Sequence, residues 1–229
     1  MAQTLPRLEP VGAPPERPRA VVVVAHGGRS TSRESGERRR LTYWRMVPFA
    51  LLLARTAGLG VYLVRYRHRG WNGPARDAAQ DVTQLLTTLP EVPTALVGHS
   101  MGGRAALYSA AAPQVRAVAA LAPWLDGSDP VEQLAGRSLL IAHGDRERMT
   151  DPRQSLAYAV RARRVTDRVA RFTVHGDGHA MLRHAGEWHS LVARFVRGEL
   201  GFEPEDPTIT NAMRQPTPGG LDVPLGAER

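Results

Sequence analysis

The 229-residue chain contains no cysteine and no lysine. Without cysteine there is no disulfide framework, no thiolate nucleophile and no cysteine-held zinc or iron–sulfur centre. No uninterrupted apolar stretch is long enough to cross a bilayer, and the opening Met1-Ala2-Gln3-Thr4-Leu5-Pro6-Arg7 has no apolar signal core. A soluble cytoplasmic protein without stable membrane insertion is therefore expected. No two of the eight histidines form an i, i+4 pair in a helical register with a carboxylate partner, so no metal site is expected either.

The missing lysine changes how the net charge of +8 and the isoelectric point near 11.0 are read. A basic surface selected to track phosphates would use aromatics or helix ends beside its cations. Here every amine-type cation has been replaced by guanidinium, which reads as a compositional bias. Two clusters stand out, Arg29, Arg33, Arg38, Arg39 and Arg40, then Arg161, Arg163, Arg164, Arg168 and Arg171. Both are read as solvated faces, and no nucleic-acid partner is expected. The sequence leaves the oligomeric state open.

What is present is an alternation of β-branched apolar runs with stretches of helical period, the pattern of a mostly parallel sheet covered on both faces. Strands are expected at 20–25, 61–66, 94–97, 115–121, 138–142 and 171–174. Helices are expected at 41–57, where Pro48 kinks or restarts the helix, and at 75–86, 104–110, 152–164 and 185–197. That makes about six core strands. Residues 1–19, rich in proline and arginine, read as an extended arm, 20–200 as the folded domain, and 201–229 as a disordered tail without hydrophobic period. Only a short turn-rich segment, 122–137, separates two of the strands, too short for a helical cap.

Chemistry concentrates at the strand ends. Gly98-His99-Ser100-Met101-Gly102 follows the apolar run Thr94-Ala95-Leu96-Val97 and leads into an alanine-rich helix, so strand, sharp turn, serine and helix follow in order. A serine on such an elbow exposes its hydroxyl, and the flanking glycines let neighbouring backbone pass close. Upstream, the β-branched run 20–25 ends in His26-Gly27-Gly28. Downstream, the last strand ends in His175-Gly176-Asp177-Gly178-His179.

In these three motifs, taken in chain order, residues 19–197 resemble the α/β-hydrolase family. The resemblance implies a three-layer α/β-hydrolase fold, here without a cap domain, and a cofactor-free serine hydrolase acting on a small-molecule carboxylic ester or thioester. It implies Ser100 as nucleophile, His179 as general base, and an orienting acid in the segment His143-Gly144-Asp145-Arg146-Glu147. Counted in the family's register the acid falls on Glu147, where most relatives carry aspartate; Asp145 competes, with a turn residue as its plainer reading. Asp151 reads as the N-cap of the helix begun by Pro152. The oxyanion hole falls on the amides of Gly28 and Met101. Trp124, just past a strand end, is the candidate substrate-binding side chain, whereas Trp71, Met101 and Met181 are better core residues. A small-substrate serine peptidase or amidase would share every one of these residues, and a catalytically silent ligand-binding protein on the same fold is the reading from another class.

Overall fold

The structure is a computed structural model describing residues 5–35 and 40–225. Eight strands form one sheet: β1 (Arg7–Pro10), β2 (Ala20–Ala25), β3 (Leu59–Arg65), β4 (Thr94–His99), β5 (Val115–Leu121), β6 (Ser138–Gly144), β7 (Val169–Val174) and β8 (Val223–Leu225). Their spatial order is β1-β3-β2-β4-β5-β6-β7-β8, and every pairing is parallel except β1 with β3. This is the α/β-hydrolase arrangement that the motifs imply, and among the described residues no cap domain is inserted.

The helices are α1 (Leu41–Trp44), α2 (Val47–Leu53), α3 (Asp77–Leu86), α4 (Met101–Tyr108), α5 (Pro152–Ala162), α6 (Ala185–Glu199) and α7 (Pro207–Arg214). Strand period divides the core into two layers. In β2, Val22 and Val24 face a cluster with Phe49 and Leu53 of α2 and Trp188 and Phe195 of α6. Val21 and Val23 face the other cluster, with Val82 of α3, Leu107 of α4 and Tyr158 of α5. Successive side chains of a strand point to opposite faces, so a continuous valine run is what a sheet covered on both sides requires. The expected helix at 41–57 is two helices, α2 opening with Pro48 in its first turn, where a missing N–H costs nothing.

The sheet has eight strands where about six were expected. Both additions are edge strands containing proline: β1 ends in Pro10 and β8 carries Pro224. Proline lacks the donor a central strand needs, so it is confined to edges, and strands of four and three residues carry too little pattern to read. The segment from Gly201, expected to be disordered, contains α7 and β8. Asp206 caps α7, its carboxylate accepting from the Thr208 and Ile209 N–H groups at 2.9 and 3.1 Å. Ile209, Ala212 and Leu225 join the core beneath α6. Gly226 to Arg229, the rest of the expected tail, lie outside the described residues, as do Arg38 and Arg39 of the first arginine cluster.

The second arginine cluster is likewise not a solvated face. Arg163 donates to the carbonyls of Val169, Ala212, Gln215 and Gly219, and buried Arg171 to the Leu221 carbonyl and the Asp222 carboxylate. Arg168 bridges Glu199 and Glu205, both at 2.8 Å. Arg163, Arg168 and Arg171 clip the C-terminal segment onto the sheet, while Arg161 holds the Asp129 carbonyl at 2.8 Å; Arg164 alone of the five is exposed. Truncation after Gly201 should therefore lower the melting temperature by about 10 °C or more, from the loss of the buried side chains of Ile209, Met213, Leu221 and Leu225. Calorimetry of the truncated chain checks this, and an unchanged melting temperature would show that α7 and β8 add nothing to the fold.

Candidate active site

Strand register decides which loops meet. In the pairing of β2 with β4, Ala25 lies opposite Gly98. The chain leaving β2 as His26-Gly27-Gly28 therefore runs beside the turn that leaves β4. At that turn Ser100 has φ 56° and ψ −120°, a region that only a closely constrained non-glycine residue occupies. A Cβ on Gly98 would strike the Gly102 carbonyl, and one on Gly102 the carbonyls of Ala25 and His26. Both glycines are thus required by contact. The Ser100 N–H donates to the Leu121 carbonyl at 2.9 Å, while its own carbonyl accepts from Arg104 at 3.1 Å and Trp124 at 3.2 Å.

Met101 opens α4, where the first amides have no intrahelical acceptor. Among the described residues neither its N–H nor that of Gly28 donates to a protein acceptor. The two residues touch: a Cβ on Gly28 would overlap the Met101 thioether and the Arg69 carbonyl. Two free amides and a helix N-terminus thus sit within one turn of Ser100, an arrangement suited to an oxyanion.

The loops after β6 and β7 meet at the same edge of the sheet. His179 Nδ1 donates to Glu147 Oε2 at 2.7 Å; the Glu147 side chain is fully buried and that of His179 is 11 % exposed. The other carboxylate oxygen accepts the Arg148 and Met149 N–H groups, both at 2.7 Å. Burial opposes ionisation of Glu147, but the His179 bond and those amides outweigh it and hold its carboxyl down at about 2. Asp145 goes elsewhere: it accepts from His175 Nδ1 at 3.0 Å and from the Gly176 N–H at 2.8 Å, on the exposed side of the loop. The histidine loop is shaped by buried Asp177, whose carboxylate takes the Gly178 N–H at 2.9 Å and the Trp188 indole N–H at 2.8 Å.

Three further histidines are built into this edge, and sequence reasoning assigned none of them a part. His99 is fully buried and its Nε2–H donates to the His179 carbonyl at 3.0 Å, with the two ring centroids 4.6 Å apart. This contact lays His179 against the residue preceding Ser100. His143, also buried, meets Ser155 at 2.9 Å and Thr150 at 3.2 Å, and its Nε2 lies 3.8 Å from Glu147. His26 packs edge-on against Tyr43 and Tyr66, with centroids 5.6 and 4.8 Å away. The available signal was position: each stands where a strand reaches the edge that carries Ser100 and His179, two of them within the glycine motifs.

Trp124 is half-buried beside the elbow. Its indole and that of Trp71 flank the Arg104 guanidinium, whose carbon lies 4.8 and 4.6 Å from the two rings. Together with Ser30, Thr31 and Asp126 they line a cleft of about 400 Å³. Met181 is core, as expected.

Two comparisons bear on this geometry. The sequence pattern of the alpha/beta hydrolase family matches residues 22–227. Solved structures with the same fold include the esterase Est1E from Butyrivibrio proteoclasticus with ferulic acid bound, at 15% identity and TM-score 0.61 over 85% of this chain and 96% of that one. The esterase Pf2001 from Pyrococcus furiosus matches at 15% identity and TM-score 0.61, over 85% and 94% of the two chains. An acetyl ester-xyloside bifunctional hydrolase from Caldicellulosiruptor lactoaceticus matches at 15% identity and TM-score 0.64, over 86% and 89%. No curated protein sequence matches the chain.

The buried imidazoles make the fold acid-labile. Burial lowers His26 and His143 to about 4, and pushes His99 down as well. A group that the fold holds neutral contributes its full stability above the ordinary imidazole value of 6.5, and that contribution is lost as pH falls from 6.5 towards 4. Below pH 4.5 the loss continues, because protonation of Glu147 removes a group whose folded value is about 2. Urea unfolding at pH 7 and pH 4.5 should differ by about 2 kcal/mol or more, with a shallower difference for His143→Gln. Equal stabilities at the two pH values would show that these rings do not stay neutral in the fold.

Proposed function

The chain belongs to the alpha/beta hydrolase family, and we propose that it is a cofactor-free serine hydrolase that cleaves a carboxylic ester or thioester through an acyl-enzyme on Ser100. The observation carrying this reading is the 2.7 Å bond from His179 to a buried, ionised Glu147, formed beside a serine held at positive φ. A carboxylate can only accept, so Nδ1 of His179 carries the proton and Nε2 is left with its lone pair. That nitrogen takes the Ser100 proton as the oxygen attacks the carbonyl, and Glu147 balances the imidazolium that forms. The amides of Met101 and Gly28 receive the oxyanion. The imidazolium then protonates the departing alcohol or thiol, and a water activated by the same nitrogen releases the acid. The names of the structural neighbours, esterases and an acetyl ester hydrolase, support an ester over an amide. With no cap inserted, the site suits accessible esters. Trp124, at the mouth of the adjoining cleft, contacts one arm of the substrate.

His99 acts as a positioning residue, because its Nε2–H fixes the backbone that carries His179.

Three outcomes test this assignment. Ser100→Ala should abolish hydrolysis of p-nitrophenyl butyrate and labelling by a fluorophosphonate probe while keeping the fold; residual turnover near the wild-type rate would exclude Ser100 as nucleophile. Glu147→Gln should lower kcat by about a hundredfold or more and Asp145→Asn only a few-fold, and the reverse ranking would move the acid to Asp145. His99→Leu should lower kcat by about tenfold with KM little changed, and His99→Gln, which can place an N–H near the same carbonyl, should restore much of that loss. Equal activity of the two variants would show that the N–H has no positioning role.

A further inference from the structure

The cleft beside Ser100 is built around one guanidinium. Arg104 stands one helical turn beyond Ser100 on α4, its backbone N–H donating to the Ser100 carbonyl at 3.1 Å. Its side chain is only 5 % exposed and is committed on every side. Nε donates to fully buried Asp129 at 2.6 Å, and Nη2 to half-exposed Asp126. The guanidinium carbon lies in the angle between the indoles of Trp71 and Trp124, whose centroids are 6.3 Å apart and whose planes stand at 87°. Two carboxylates discharge the cation, so its part is to hold the indoles and not to bind an anion.

Each of these contacts belongs to a different loop. The Trp71 N–H donates to the Arg29 carbonyl at 2.9 Å, which ties that indole to the loop carrying Gly28. The chain leaves β5 through Ala122, buried at φ 40°, and turns back so that the Trp124 N–H reaches the Ser100 carbonyl at 3.2 Å. A non-glycine residue keeps such a conformation only where its surroundings over-determine it. Asp129 is fixed in turn, its carboxylate accepting the Asp126 N–H at 3.0 Å and its carbonyl the Arg161 side chain at 2.8 Å. Arg104 is the one group that all three loops share. Trp124, Arg104 and Asp126 also line the cleft of about 400 Å³, so the position of the Trp124 ring sets its width. An ammonium could face Asp129 but has no planar fork to span both carboxylates and both indoles.

We propose that Arg104 is a positioning residue that fixes Trp124 as the wall of this cleft, and that through this wall it limits the length of the ester arm the site accepts. The inference rests on Ser100 being the point of attack. Held by Arg104, the indole bounds the space beside the serine; released, it swings away and longer arms enter.

The ratio of kcat/KM for p-nitrophenyl butyrate to that for p-nitrophenyl octanoate tests this, because a loss of folded protein lowers both rates alike and leaves the ratio unmoved. Arg104→Lys, which keeps a cation opposite buried Asp129, should lower the ratio by about tenfold from its wild-type value. Asp126→Asn, a milder change at a half-exposed carboxylate, should lower it by about threefold and carries the test if Arg104→Lys does not fold. In a Trp124→Ala background neither substitution should move the ratio further, since the indole through which they act is gone. Fluorine NMR of protein labelled with 5-fluorotryptophan gives a readout independent of turnover. The Trp124 resonance, identified by its loss in Trp124→Phe, should move towards that of free 5-fluorotryptophan in Arg104→Lys and in Asp126→Asn. If that shift occurs but the wild type cleaves neither ester, the hydrolase reading fails and the positioning of Trp124 by Arg104 stands. An unmoved Trp124 resonance, an unchanged ester ratio in a variant of an active enzyme, or a change in ratio that persists without Trp124 would overturn the proposal.

Discussion

The conformation of Ser100 is the constraint on which the site depends. Its φ of 56° costs on the order of 1–3 kcal/mol and persists only because its surroundings leave no alternative. β4 runs directly into α4, and the turn between them is pressed against the carbonyls at the end of β2, with room for hydrogen alone at Gly98 and Gly102. The Ser100 amide is tied to the end of β5 and its carbonyl to both Arg104 and Trp124. Strain stored there is balanced by parallel pairing on both sides of β4, in the most deeply buried part of the sheet. The turn thereby lies beside the start of the β2 loop, where Gly28 touches the Met101 side chain.

Around this turn the histidines divide by exposure and partner. His26, His99 and His143 are buried and held neutral, and they serve as rigid packing with one or two directed hydrogen bonds. His179 alone of the set retains some exposure and has a buried carboxylate behind it. The neutral rings keep their charge from competing with Glu147, and His99 and His143 fix the two loops that Glu147 and His179 come from. Glu147 is thus the one buried anion in contact with the His179 ring, at an edge otherwise of low dielectric.

The parts of this arrangement legible in the sequence are those where chain geometry demands particular residues. Glycines at 98 and 102 are compelled by backbone contact, and a valine run at 20–25 is compelled by burial on both faces, so both can be read without a structure. On the acid loop, counting from His143-Gly144 reaches Glu147, whose carboxylate accepts from His179, while that of Asp145 accepts from His175. The edges were not legible, because β1 and β8 gain their order from a neighbour rather than from their own period. One signal there was available and unused: Asp206-Pro207 repeats the Asp151-Pro152 start of α5, and both aspartates cap their helices.

The same absence of lysine has a structural consequence at the C-terminal edge. An ammonium is a compact charge, whereas a guanidinium spreads fixed donors over a plane and can hold several carbonyls together. Arg163 does so across β7, α7 and the turn at Gly219, and Arg171 reaches from β7 to Leu221 and Asp222. These contacts seat β8 against β7, where the His175 N–H donates to the Leu225 carbonyl at 3.2 Å. His175 is also the first residue of the loop that carries His179. The arginines that clip the last segment of the chain therefore fix one end of the histidine loop, and Asp177, through Trp188 of α6, fixes its middle. What reads in sequence as a basic patch and a polar tail is, in the folded chain, the outer support of the candidate site.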